Sequence, residues 1–312
     1  MSFHRIVCLT EETVETLYLL GQDHRIVGVT GYAIRPARVR REKPRVGAFT
    51  SADLEKIKAL NPDLVLTFSD LQADIAAGLI RAGIEVHAFN HRDVAGIMRM
   101  IRTLGALLGC MDQAEALIAG YETRIAALRA TPRPHRPRVF FEEWDEPIIS
   151  GIKWVSELVD IAGGQDIFPE LAAEPLAKNR ILLPDAIPPR APDVILASWC
   201  GKKVVASRIA GRAGWQNVPA VAAGRIHEIK SPLILQPGPA ALTDGLDAVV
   251  AALWARTCCS ARSESACPGE TPATSAAVLF FLILFNGNII RTPSSCCVNL
   301  PLLNVLLTVT AL

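Results

Sequence analysis

Asn61-Pro62-Asp63-Leu64-Val65-Leu66 returns in slightly altered form as Ala191-Pro192-Asp193-Val194-Ile195-Leu196. Each copy is a Pro-Asp turn feeding a continuous aliphatic run, the pattern of a strand buried on both faces of a parallel sheet. Each run closes on an aromatic ring after small polar residues: Thr67-Phe68 in the first copy, Ser198-Trp199 in the second. Open α/β sheets bind ligands at the carboxyl ends of their strands. Two similar halves, each with a large ring at that edge, predict a ligand cleft between two lobes.

The remaining alternation supports this. Arg5 to Leu9 reads as a strand and Thr10 to Leu20 as a helix with Thr10 at its N-cap, closed by Gly21. Ile26 to Val29 is a strand, Arg35 to Arg45 a basic loop, and Asp53 to Leu60 a helix before the first Pro-Asp strand. Asp70 to Gly83 is a helix and Ile84 to Phe89 a strand. Val94 to Leu108 carries apolar residues at helical spacing, and Asp112-x-x-Glu115 predicts a capping box for a second helix that stops before Pro132. The second half adds Arg138-Val139-Phe140-Phe141, a helix over 154–162, the second Pro-Asp strand, Arg225 to Ile229, and a last helix over 240–255. The fold class is therefore α/β, with two doubly wound lobes. The expected division is an N-terminal lobe at 1–92, linking helices at 93–131 and a C-terminal lobe at 132–256.

Composition narrows the function. In 312 residues, 32 Lys and Arg offset 31 Asp and Glu, for a formal charge of +1. No basic stripe stands out, so a nucleic-acid partner is not expected. Cys8, Cys110 and Cys200 are scattered singly, and no C-x-x-C pair exists, so neither a disulfide framework nor a cysteine metal site is predicted. No Gly-x-Gly-x-x-Gly, Walker loop or Gly-x-Ser-x-Gly elbow is present. The opening Met1-Ser2-Phe3-His4-Arg5 has no apolar signal-like segment, which predicts a cytoplasmic product as encoded unless the true start lies upstream. The stretch 257–312 changes composition abruptly. It holds five of the eight cysteines, and between Thr271 and Leu312 its only charge is Arg291. A poorly ordered appendage, a membrane-associating segment and a reading-frame accident compete there, the last favoured. It is expected to lie outside the fold.

From Arg5 to Leu253 the chain resembles the substrate-binding proteins of ABC importers for vitamin B12 and iron–siderophore complexes. The likeness rests on Leu9-Thr10-Glu11-Glu12-x-x-Glu15-x-Leu17-Tyr18-x-Leu20-Gly21, on Val27-Gly28-Val29-Thr30-Gly31-Tyr32, on Gly47 with Asp53-Leu54-Glu55-x-Ile57, and on both Pro-Asp strands. It is greatest toward the cobalamin-binding branch. The resemblance implies lobes joined by one long helix, little domain closure, a monomer, an extracytoplasmic location, ABC permease partners and no chemistry on the ligand. It implies neither a catalytic residue nor a metal site nor a cofactor beyond the transported ligand. That ligand is a corrinoid, with a ferric siderophore or haem as the alternative; Arg35, Arg38, Arg40 and Arg41 keep the anionic alternative open. A cytoplasmic enzyme or carrier acting on a tetrapyrrole is the second alternative.

A corrinoid is a broad, largely apolar disc fringed with amides, and it calls for flat aromatic walls. Tyr32 and Phe68, with Phe49 nearby, fall where the family places first-lobe rings. Trp199 and Trp144 are the second-lobe counterparts, while Trp154, Trp215 and Trp254 read as core. Glu142, Glu143, Asp145 and Glu146 are open to ligand contact, acid–base work or a solvated turn, with Glu143 taken as a ligand contact. His91 reads as a solvated loop residue and Cys200 as a small packing residue; either has the chemistry to hold a metal. Asp74, early in the helix after Phe68, matches the family's docking acid. The second lobe has no equivalent, because Lys202 to Arg208 is basic where an acid is expected.

Overall fold

The Pro-Asp phrases are the two places where each lobe's central strands are locked in register. Asp63 accepts the main-chain N–H groups of His4 and Arg5 at 2.7 and 2.9 Å, and its own N–H donates to the Arg5 carbonyl at 2.9 Å. Asp193 repeats this on Arg138, accepting at 2.7 Å and donating at 2.8 Å. Asn61 and Ala191 both hold positive φ, +46° and +40°, to turn the chain into the proline. The shared phrase is thus a clamp between neighbouring strands in both lobes, with two main-chain N–H groups held by Asp63 and one by Asp193.

These features come from a computed structural model that describes residues 3–254; the expectation for 257–312 lies outside them. Lobe 1 is a five-stranded parallel sheet of β1 (Ile6–Cys8), β2 (Ile26–Thr30), β3 (Arg45–Gly47), β4 (Leu64–Phe68) and β5 (Val86–Phe89) in the order β3-β2-β1-β4-β5. The chain order reverses at β1, the position where open sheets leave a crevice. Helices α1 (Glu11–Leu19), α2 (Val39–Glu42), α3 (Leu54–Ala59) and α4 (Ala73–Arg81) make the connections. The stretch 35–45, expected as loop, contains α2 and leads into β3, a three-residue edge strand too short to announce itself by alternation.

Two helices follow, α5 (Val94–Leu108) and α6 (Met111–Ala130), separated by Gly109 at φ +69°. The 20 residues of α6 span about 30 Å at 1.5 Å per residue. The expected capping box does not form: Cys110 is the N-cap, and Glu115 instead pairs with Arg102 at 2.8 Å. Lobe 2 contains β6 (Arg138–Asp145), β7 (Ile148–Ser150), β8 (Gln165–Asp166), β9 (Ile181–Leu182), β10 (Val194–Ala197) and β11 (Ile226–Glu228), with β8 paired to β6 beside the path β11-β10-β6-β7-β9. Here β7 is antiparallel to both neighbours, so lobe 2 is a mixed sheet rather than a purely doubly wound one. Its helices are α7 (Lys153–Ile161), α8 (Pro169–Ala172), α9 (Ala206–Ala210), α10 (Pro219–Ala222), α11 (Ser231–Ile234) and α12 (Leu246–Trp254).

The lobes are fastened by more than α6. One apolar cluster runs from Leu64 and Leu66 through Ile97, Ile101 and Leu104 of α5 to Leu158 of α7 and Leu246 of α12. The segment from Ser231 to Gly245 then lies along the carboxyl edge of lobe 1. The ring of His91 bonds the Pro237 carbonyl at 2.7 Å, and since that oxygen can only accept, Nε2 carries the proton. The Ala240 N–H donates to Glu15 at 3.1 Å, Arg35 pairs with Asp244 at 2.8 Å, and Trp154 donates to the Ile234 carbonyl at 2.8 Å. A methyl group on Gly238 would sit 2.4 Å from the Glu12 Cβ, so only glycine lets this strap reach α1. Gly238→Ala is expected to destabilise the protein by about 2 kcal/mol through overpacking, read as a lower urea midpoint; an unchanged midpoint would mean the strap does not bear on α1.

Candidate functional site

The candidate site is the crevice at the carboxyl ends of the two sheets. From lobe 1 come the residues after β1 (Glu11, Glu12), β2 (Tyr32), β3 (Phe49), β4 (Phe68) and β5 (His91, Arg92). From lobe 2 come those at the ends of β6 (Glu143, Trp144) and β10 (Trp199, Cys200). The edges face one another: the Trp154 N–H donates to the Arg92 carbonyl at 3.0 Å and the Val94 N–H to Glu157 at 2.7 Å. From across the crevice Glu11, and from the same lobe Glu143, add to burial in raising the pKa of the Cys200 thiol.

The predicted rings divide into open and sealed. Tyr32 is 52% exposed at the end of β2, and Phe49 and Trp144 are half-buried. Phe68 is only 6% exposed, edge-on to His91 at 5.3 Å and covered by the Arg92 guanidinium at 4.8 Å. Trp199 is 2% exposed in the lobe 2 core, its indole N–H bonded to Glu142 at 3.1 Å. Phe68 and Trp199, both expected to line the cleft, are thus largely covered by neighbouring side chains in this structure. Phe49 and Phe68 share one apolar cluster, Trp144 and Trp199 another, and the Lys202 ammonium lies 4.1 Å from the first of those indoles and 5.1 Å from the second. Trp154 and Trp215 are buried, each with its N–H on a carbonyl, as expected of core residues.

The acidic stretch is no solvated turn. It is part of β6, and its carboxylates meet cations from distant segments. Fully buried Glu142 receives a two-pronged contact from Arg212, at 2.5 and 3.0 Å. Burial raises its pKa, and the Arg212 and Trp199 bonds oppose that rise. Glu143 is gripped by the buried guanidinium of Arg180 at 2.7 and 3.0 Å, and Arg180 also donates to the Ser150 carbonyl. Asp145 pairs with Lys202 and, at 3.5 Å, with Arg208; burial opposes ionisation, but these cations hold its pKa below the usual range. The basic run 202–208 therefore neutralises β6 rather than standing in for a docking acid. Glu146 alone of the four is exposed.

Other expectations shift too. His91 is 8% exposed with Nε2 committed to Pro237, and burial lowers its pKa, so it is a neutral structural residue rather than a solvated one. Burial, with help from Glu11 and Glu143, raises the pKa of the Cys200 thiol, which disfavours the thiolate a metal needs. No group of three metal-ligating side chains is present among the described residues. Arg35 is spent on Glu15 and Asp244, and Arg38 on Asp23 and Glu42. Asp74 is exposed in the first turn of α4.

Sequence reading missed Gln72, Arg92, Arg180 and Arg212. Gln72 is fully buried: its amide donates to the carbonyls of Leu9 and Phe49 at 3.1 and 2.7 Å and accepts the Phe68 N–H at 3.0 Å. It ties the ends of β1 and β4 to the chain after β3. Ser69, at φ +64°, turns the chain to deliver it and is the one local signal, since a Ser-Asp-x-Gln sequence directly follows the aromatic strand end.

With this geometry in hand, the comparisons are decisive for family. Residues 6–233 match the sequence profile described as "Periplasmic binding protein". The chain belongs to that family. Among curated relatives of this periplasmic binding protein, a cobalamin-binding protein of Halobacterium salinarum is 26% identical over 243 residues, 75% of this chain and 65% of the relative. The chain thus spans just under two thirds of that relative's length. A vitamin B12-binding protein of Vibrio parahaemolyticus is 24% identical, covering 76% of this chain and 85% of the relative. Among solved structures, a possible iron-binding protein of Staphylococcus epidermidis superposes with a TM-score of 0.71 at 21% identity, covering 81% of this chain and all of the other. The vitamin B12-binding protein of Vibrio cholerae gives 0.64 at 22%, covering 80% and 96%. The haem-binding protein of Roseiflexus gives 0.67 at 25%, covering 81% and 100%. The two-lobed fold of these proteins is the fold of this chain.

Breaking the Arg212–Glu142 pair strands a buried carboxylate. Arg212→Met is expected to destabilise by about 3–5 kcal/mol, measured by chemical unfolding with tryptophan emission. Adding Glu142→Gln should recover part of the loss; no recovery would mean the two residues are not coupled.

Proposed function

We propose that this periplasmic binding protein holds a corrinoid in the crevice between its lobes and passes it unchanged to an ABC importer. The observation that carries the reading is charge compensation. Four of the cations beside the crevice already face carboxylates: Arg92 faces Asp70, Arg180 faces Glu143, Lys202 faces Asp145 and Arg212 faces Glu142. An anionic siderophore or haem would have to compete with these pairs. A disc of small net charge does not, and its contacts come from ring surfaces and amide hydrogen bonds.

In this reading Tyr32, Phe49 and Trp144 supply the walls, and Phe68 and Trp199 support them from beneath. Glu143, held by Arg180, offers an acceptor to ligand amides. No chemistry on the ligand is assigned: Glu142 and Asp145, the carboxylates that acid–base work would use, are tied to Arg212 and Lys202. Asp74 is the first-lobe contact for the permease. No helix among the described residues is long and apolar enough to cross a membrane.

The test is a titration with cyanocobalamin, followed by heat and tryptophan emission. One-to-one binding is expected, weakened about tenfold or more by Tyr32→Ala and again by Trp144→Ala, since one aromatic contact contributes roughly 0.5–1.5 kcal/mol beyond its area. Absence of binding by the unaltered protein, with binding of haemin or a ferric siderophore in its place, overturns the corrinoid assignment. A cobalamin affinity indifferent to both substitutions overturns the placement of the walls.

A further inference from the structure

Trp199, Cys200, Gly201 and Lys202 make a tight turn just past the carboxyl end of β10. The Lys202 N–H donates to the Trp199 carbonyl at 3.3 Å, and Gly201, third in the turn, holds φ at +74°, where glycine is favoured. The turn brings the lysine side chain back over the strand end. Its ammonium lies 4.1 Å from the centre of the Trp144 ring and 5.1 Å from that of Trp199, and it donates to Asp145.

Two of these three neighbours are buried: Asp145 is 8% exposed and Trp199 2%. The ammonium is therefore held on the core side of the half-buried Trp144, and the opposite face of that indole is the one left toward the crevice. The edge of the ring is fixed separately, by its N–H on the Glu146 carbonyl at 3.0 Å in the turn between β6 and β7. Arg208, the other cation on Asp145 at 3.5 Å, lies 5.9 Å from the Trp199 ring. Among the described residues Lys202 alone places a cation over Trp144.

We infer that Lys202 is a positioning residue for the ligand: anchored on Asp145, it holds the Trp144 indole in the orientation on which a ring can stack. The inference rests on the corrinoid reading and on Trp144 as one of its walls. An unheld indole chooses among about three χ1 wells, each with roughly two broad settings of χ2. The N–H bond narrows that choice. A cation on one face narrows it further, because the attraction lasts only while the ring lies flat beneath the charge. A wall that samples other settings binds more weakly, in proportion to the time it spends in them. Loss of the cation is therefore expected to weaken binding by about threefold to sixfold, and only while Trp144 is present.

The experiment measures the cyanocobalamin affinity of the full chain by calorimetry, for the unaltered protein, Lys202→Met and Lys202→Arg, and for Trp144→Ala with and without Lys202→Met. Lys202→Met strands the buried Asp145 carboxylate, so Lys202→Met combined with Asp145→Asn serves as a second variant without that charge. Acrylamide quenching of tryptophan emission, with Trp144→Phe as the reference, reads the ring itself. Both variants that lose the cation should bind about threefold to sixfold more weakly and leave Trp144 more open to quenching. Lys202→Arg should recover most of the loss, since a guanidinium also stacks on an indole. In the Trp144→Ala background Lys202→Met should change nothing further. Equal loss with and without Trp144, no recovery by arginine, or unchanged affinity or quenching overturns the inference. So does tighter binding by Lys202→Met, which would put the ammonium in the ligand's own place on the ring. In all of these cases the unaltered protein still binds and the corrinoid reading stands. Absence of binding by the unaltered protein overturns that reading, and this inference with it.

Discussion

Three carboxylates on one strand, Glu142, Glu143 and Asp145, are each met by a cation from another part of the chain, and the second lobe is arranged around that neutralisation. Arg212 arrives from beyond α9, Arg180 from just before β9, and Lys202 from the loop after β10. Removing one partner from such a pair leaves an unpaired charge in a buried site, which is far more damaging than losing a surface contact. The pairing also decides what the cleft can recognise. Glu142 uses its remaining bonding capacity to fix Trp199, and Lys202 is held over the indoles of both Trp144 and Trp199. The lobe 2 wall is therefore aromatic and charge-compensated, the surface expected to face a large ligand of small net charge.

Opposite it, the wall of lobe 1 is held by polar bonds. Gln72 joins the ends of β1 and β4 to the chain after β3, and along the same edge His91 donates to the 231–245 segment and Glu15 accepts from it. An apolar cluster that passes through α5 and α7 runs beneath both lobes. Wide hinge motion would have to break these contacts together. A cleft kept near its bound shape loses less entropy on binding, so its affinity need not be offset against a closing motion. Glu12, near the start of α1, sits inside this fastening and is fully buried.

Much of the fold was legible because parallel sheets write themselves as aliphatic runs. The repeated Pro-Asp phrase marked both central strands correctly, yet its meaning is structural: Asp63 and Asp193 clamp neighbouring strands by their main-chain N–H groups. Strand β3 escaped because three residues at a sheet edge carry no period, and the antiparallel strands of lobe 2 because β7 and β9 are as short. The site was less legible. A ring after a strand looks the same in sequence whether it opens on a cleft, as Tyr32 does, or is capped, as Phe68 is by His91 and Arg92 and Trp199 is by its place in the core. What decides between these outcomes lies far along the chain, and so do the cations that turn a run of acids on β6 into buried pairs.

The central claim is that ring contact, not charge, holds the ligand, and salt separates the two most directly. Calorimetric titration of cyanocobalamin and of haemin, each at low and at high ionic strength, makes the comparison. The account predicts a cobalamin affinity that changes by less than about twofold, because screening acts on interactions between charges. Haemin bound more tightly than cobalamin, with an affinity that falls steeply as salt is added, would contradict it.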